Sequence, residues 1–181
     1  MARLTEEQYR SFGTEILPNL FLTSCYEAKD ARWLKKTGIT HLLSVAEECP
    51  PSSALPLKTL HIALRDSPRT DVTSHFEEVF RFMDAGRATG KVLLHCFEGK
   101  NRSATFVIAY LMQKEGCNLH MALSRVKSVR SFVDLNIGFH KQLLDLERSL
   151  SLPSPSAPLD AEACQDLLEM ELITSTDITK Y

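Results

Sequence analysis

No run of apolar residues in this chain approaches the length that spans a bilayer. The opening segment, MARLTEEQYR, lacks the apolar stretch of a secretory signal. Ala rather than Gly follows Met1, and the chain closes on DITKY, so neither end carries a lipidation signal. The sequence therefore predicts no membrane association. Excess positive charge is also missing. The formal net charge is −2 over 181 residues, which argues against nucleic acid or an anionic membrane surface as a partner. The five cysteines, Cys25, Cys49, Cys96, Cys117 and Cys164, are odd in number, widely spaced and without a CxxC pair. That pattern excludes a disulfide framework and a zinc site, and nothing else calls for a metal or a cofactor. With no export signal, the expected setting is reducing: the cytoplasm, extending to the nucleus. There is no internal repeat.

What is present is an ordinary core-forming chain, with 44% hydrophobic and 24% charged residues. Ile16–Ser24, Ile39–Ala46, Leu57–Leu64 and Lys91–His95 read as strands. Glu27–Gly38 reads as a helix, with Ala28, Ala31 and Leu34 at helical spacing and Gly38 as its C-cap. Ser74–Ala88 is a second helix, and Ser74 with Glu77 resembles a capping box. Ser103–Gly116 is an almost wholly apolar helix, and Leu119–Val129 and Gly138–Leu150 are two more. Glu48–Pro56 and Arg65–Thr70 are loops. Alternating strands and helices predict an α/β three-layer sandwich, its central, largely parallel sheet of about five strands flanked by helices.

The chain divides into an N-terminal segment (1–14), a folded domain (15–152) and a C-terminal segment (153–181). Pro153–Pro158 is a Pro/Ser linker. The segment that follows is acidic, with Asp160, Glu162, Asp166, Glu169, Glu171 and Asp177 against Lys180 alone. Ala161–Ile173 has the pattern of a short amphipathic helix. The segment reads either as a solvated tail or as a partner-docking or autoinhibitory element.

The chemistry concentrates in HCFEGKNRS, residues His95 to Ser103. A buried strand enters this loop and an apolar helix leaves it. Such a junction aims backbone N–H groups at one point, and the helix N-terminus adds about half a positive charge, which makes an anion site suited to phosphate. Phe97, Glu98, Gly99, Lys100, Asn101 and Arg102 would form the cradle. Gly99 lets the backbone approach closely, and the planar fork of Arg102 can take two phosphate oxygens. Cys96 lies at the floor, where the same field favours its thiolate and makes it a nucleophile. The Ser103 hydroxyl can donate to the sulfur when the thiolate must leave. His95 orders the loop through hydrogen bonds, since a thiolate needs no general base.

His95-Cys96-x-x-Gly99-x-x-Arg102-Ser103 resembles the signature of the cysteine-dependent protein phosphatases. Ser103-Ala104-Thr105 and AYLM (Ala109–Met112) resemble the dual-specificity branch. Ile16–Asp30, Gly38–Glu48 and NIGFHKQLLDLE (Asn136–Glu147) are similar to other elements of that family, so the likeness covers about residues 15–150. The resemblance implies a small member without an added docking domain, acting on phosphorylated proteins. It further implies a general acid on a loop about thirty residues before the cysteine, which places it at Asp66. Asp71 is the runner-up, read instead as a polar residue at the start of the next helix. The resemblance makes Asn136 the tether of the cysteine loop, and Gly138 and Phe139 structural. Leu135 departs from the Pro that often precedes that Asn. No aromatic recognition segment like that of tyrosine-specific relatives stands between Thr5 and Ile16. A shallow pocket for phosphotyrosine, phosphoserine and phosphothreonine is thus expected. The alternatives are the same chemistry on a lipid, glucan or RNA-end phosphate, against which Glu98 and the lack of strong basicity weigh, or a phosphate-binding scaffold without catalysis.

Overall fold

The structure, a computed structural model, describes residues 13–152. The acidic segment and its linker lie outside the described residues. Five strands form one sheet: β1 (Thr14–Leu17), β2 (Leu20–Thr23), β3 (Ile39–Ser44), β4 (Lys58–His61) and β5 (Lys91–His95), in the order β1-β2-β5-β3-β4. Only the β1–β2 pair is antiparallel; β2, β5, β3 and β4 run parallel. The helices are α1 (Ala31–Thr37), α2 (Phe76–Thr89), α3 (Arg102–Glu115), α4 (Leu119–Val129) and α5 (Ile137–Ser149). The fold is the expected α/β sandwich.

The central strands are apolar on both faces because both faces are covered. Leu93 of β5 joins Phe21, Leu34 and Leu42 beneath α1, with Trp33, Leu55 and Leu57 packed alongside. Its neighbours Val92 and Leu94 point the other way, into the larger cluster with Met83, Phe106, Ile108 and Phe139. α3 is buried from Arg102 through Met112, which explains an apolar helix with no polar face. No helix among the described residues is long and apolar enough to cross a membrane.

Three local expectations are corrected. The run Ile16–Ser24 is two strands rather than one: the chain reverses at Pro18–Asn19, and Asn19 takes a positive φ of 65° that Asn tolerates in tight turns. The helix expected from Glu27 is broken at Asp30. Glu27–Lys29 is a single 3₁₀ turn, and the Asp30 carboxylate caps α1 by accepting from Arg32 N and Trp33 N. Ser74 and Glu77 form no capping box. Asp71 receives Thr73 N at 2.9 Å and Ser74 N at 3.4 Å, and Thr73–His75 is a 3₁₀ turn ahead of α2. Gly38 closes α1 at φ 77° as its sequence position suggested.

Candidate active site

The parallel strands end together. Thr23, His95, Ser44 and His61 share one register row at the carboxyl edge of the sheet, the edge at which open α/β sheets bind ligands. The segments that leave this row build the site. β5 delivers Cys96, β2 delivers Ser24 and Cys25, β3 delivers Glu47 and Glu48, and the chain after β4 delivers Leu64 and Asp66.

The 95–103 loop is held from outside by its carbonyls. Phe97 O accepts from Cys25 N at 3.0 Å and Lys100 O from Asp134 N at 3.0 Å. Gly99 O accepts from Arg130 Nε at 2.8 Å. With these carbonyls turned outward, backbone N–H groups are free to face inward. Gly99 N and Ser103 Oγ both donate to Cys96 Sγ at 3.2 Å, and the sulfur is buried. Gly99 has φ 70°, and a Cβ there would run into the Thr23 carbonyl and Arg130. No other residue type fits.

His95 is buried. Its Nδ1 donates to the Cys96 carbonyl at 3.1 Å, and burial pushes the ring down to about 4. It is neutral at physiological pH and orders the loop. Cys25, whose backbone anchors Phe97, is an inert thiol, pushed up to about 12 by burial and by the adjacent Cys49.

Arg102 opens α3 and is buried. Its terminal nitrogens fork onto Glu48, Nη1 at 2.7 Å and Nη2 at 2.5 Å, and Nη1 also reaches Leu64 O at 3.0 Å. That uses three of five N–H groups. Nε is buried and makes no hydrogen bond; Asp66 Oδ2 stands 3.6 Å from it. The side edge of the guanidinium, Nε with one Nη2 hydrogen, is therefore the edge with donors to spare. Burial alone would depress this guanidinium, but the bonds to Glu48 more than offset it and raise it. Arg102 in turn holds Glu48 below the usual carboxylate range.

Asp66 joins the site through the neighbouring amides. Asn101 Nδ2 donates to Asp66 Oδ1 at 2.5 Å and Asn136 Nδ2 to the same oxygen at 3.4 Å. Asn136 N donates to Asn101 Oδ1 at 3.0 Å, and its side chain caps α5 by accepting from Phe139 N at 2.9 Å. Gly138 presses so closely on Pro68 of the Asp66 loop that a Cβ would meet the Pro68 backbone. Phe139 is wholly buried in the core. Asp71 is apart from this network, engaged with Thr73 and Ser74.

At the rim, Lys100 pairs with Glu98 at 3.3 Å, and Phe97 meets Tyr26 edge to face, ring centres 5.8 Å apart. Tyr26, Val129 and Ile137 are the exposed large apolar side chains among the described residues. Each neighbours a residue of this site: Phe97, Arg130 or Asn136.

The structure thus brings together Cys96, Arg102, Asp66, Ser103, His95 and Asn136 with the cradle residues. Sequence reasoning missed Glu48 and Arg130. Glu48 follows a strand end, which is a usable signal. Arg130 carries none beyond being a cation after a helix.

Residues 20–149 match the family described as "Dual specificity phosphatase, catalytic domain". Human "Dual specificity protein phosphatase 5" is 40% identical over 147 residues, covering 80% of this chain and 38% of that protein. "Dual specificity protein phosphatase 1" of Arabidopsis thaliana is 40% identical over 134 residues, covering 74% of this chain and 68% of that protein. The crystal structure of human DUSP28 superposes with a TM-score of 0.72 at 33% identity, covering 77% of this chain and 95% of that one. The chain thus spans less than half the length of the human relative.

Proposed function

The chain belongs to the dual specificity phosphatase family, and on that premise we propose that it hydrolyses phosphate esters on protein tyrosine, serine and threonine through a phosphocysteine on Cys96. The observation that carries the reading is the pair of spare donors on the side edge of Arg102, beside a buried thiol that accepts two hydrogen bonds. Two parallel N–H groups on a buried cation fit two oxygens of a phosphate, and Glu48 fixes the plane in which they lie.

In the first step the Cys96 thiolate attacks phosphorus, the P–O bond to the leaving group breaks, and Asp66 gives that oxygen its proton. In the second, Asp66 takes a proton from water, the water oxygen bonds to phosphorus, and the S–P bond breaks. Ser103 stabilises the departing thiolate. The inward N–H groups and the N-terminus of α3 hold the charge that builds on the equatorial oxygens.

The rim supports a peptide over a highly charged inositol headgroup. Glu98 adds negative charge there, its Lys100 partner is already engaged, and Tyr26, Val129 and Ile137 offer apolar contact to residues flanking a phosphorylated side chain. The test is phosphate release from peptides carrying phosphotyrosine, phosphothreonine or both, beside a phosphoinositide, by the protein and by Cys96→Ser. Peptide turnover that is lost in the variant is expected. Preferential turnover of the phosphoinositide would shift the substrate class, and phosphopeptide binding without turnover would favour the scaffold reading.

A further inference from the structure

Asn101 occupies the N-cap of α3, where an Asn ordinarily accepts from the amides of its own helix. Its side chain makes no such bond. Its backbone carbonyl closes the first turn, accepting from Thr105 N and Thr105 Oγ1, both at 2.9 Å. The side chain is buried and links two other segments: Oδ1 accepts from Asn136 N at 3.0 Å, and Nδ2 donates to Asp66 Oδ1 at 2.5 Å. Only one orientation of the amide is chemically consistent. A backbone N–H requires an acceptor and a carboxylate requires a donor, so a flipped amide would set donor against donor and oxygen against oxygen.

We propose that Asn101 is the positioning residue for the general acid, acting on Asp66 rather than on phosphate. The proposal rests on the reading of Asp66 as the acid and base. Oδ1 of Asp66 receives the Asn101 amide and, at 3.4 Å, that of Asn136. Its Oδ2 faces the catalytic guanidinium at 3.6 Å. A proton on Oδ1 would compete with two N–H donors. Oδ2 is therefore the oxygen that gives its proton to the leaving group and later takes one from water. The Asp66 side chain is 44% exposed on an irregular loop, and the amide bond fixes a rotamer that solvent would otherwise leave free. Because the Asn101 side chain does not cap α3, the first-turn amides of that helix stay available to an anion.

The experiment compares the full-length protein with Asn101→Ala, Asn101→Ser, Asp66→Asn and the Asn101→Ala/Asp66→Asn double variant. Two substrates are used: p-nitrophenyl phosphate, whose leaving group departs without a proton, and a phosphotyrosyl peptide, whose leaving group needs one. Ser is a favoured N-cap residue that preserves the helix start but is too short to reach Asp66. Both Asn101 variants should lose about tenfold more kcat on the peptide than on the aryl phosphate. Asn101→Ala should cost little further kcat on the peptide once Asp66 is already Asn. Equal losses on both substrates, or a full additional loss in the double variant, would show general damage to the loop and overturn the proposal alone. A wild-type protein that turns over neither substrate, or an undiminished Cys96→Ser, would overturn the phosphatase reading and this one with it.

Discussion

Lowering the pH from 7 to 5 tests what burial does to His95. The ring is 2% exposed, and burial holds it at about 4, against an ordinary 6.5. In the unfolded chain it titrates near the ordinary value. Between pH 6.5 and pH 4 the unfolded state therefore binds a proton that the folded state does not. The contribution is fully present above 6.5, declines as the pH falls, and reaches its full loss below the folded value. Taking the two titrations together gives a loss of about 2 kcal/mol by pH 5 and about 3 kcal/mol in all. Urea unfolding at pH 7, 6 and 5 should be compared with that of His95→Asn, whose amide can still donate to the Cys96 carbonyl but does not titrate. The variant should lose about 2 kcal/mol less stability over this interval. His41, which burial and Lys58 hold below its ordinary value, titrates in both proteins and cancels in the difference. Identical pH slopes would refute the claim that the fold carries His95 uncharged.

Two further perturbations address the site. Glu48→Gln replaces the charged two-oxygen fork on Arg102 with one neutral amide oxygen and leaves only the Leu64 carbonyl beside it, so kcat/KM on a phosphotyrosyl peptide should fall about tenfold. Inhibition by inorganic phosphate should weaken alongside; tighter phosphate binding would show that Glu48 competes with substrate instead of orienting the arginine. Gly138→Ala drives a methyl group into the Pro68 backbone and should cost about 1–3 kcal/mol in urea unfolding. It should also depress peptide turnover more than p-nitrophenyl phosphate turnover, because the displaced loop carries Asp66; a uniform loss would disconnect Gly138 from the acid.

Much of this architecture is legible in the residues themselves. The strand-loop-helix order around Cys96 follows from a buried β-branched and leucine run, a glycine and an apolar helix, and the structure places all three where the periodicity did. The misreadings have local causes. Pro18–Asn19 is a turn dipeptide inside an apolar run, and the run outweighed the turn chemistry. Asp30 fits the helical spacing around it, yet its carboxylate caps the helix that begins there. Asn101 reads as a cradle residue because it lies in the loop, yet its partners Asp66 and Asn136 are distant in sequence, and nothing local announces them. Arg130 is invisible for the same reason, and Glu48 offers only its place after a strand end: the importance of both comes from what the fold sets opposite them.

The carbonyl anchors of the cysteine loop also tie chemistry to the completeness of folding. They come from Cys25, Arg130 and Asp134, so the first can form once Phe97 has emerged and the other two only after nearly the whole domain has. Until then the loop lacks two of the three restraints that turn its amides inward. A nascent or half-unfolded chain thus holds the loop by one anchor of the three. Detachment of the segment after α4 would therefore loosen the loop while the sheet edge that carries Cys25 still stands.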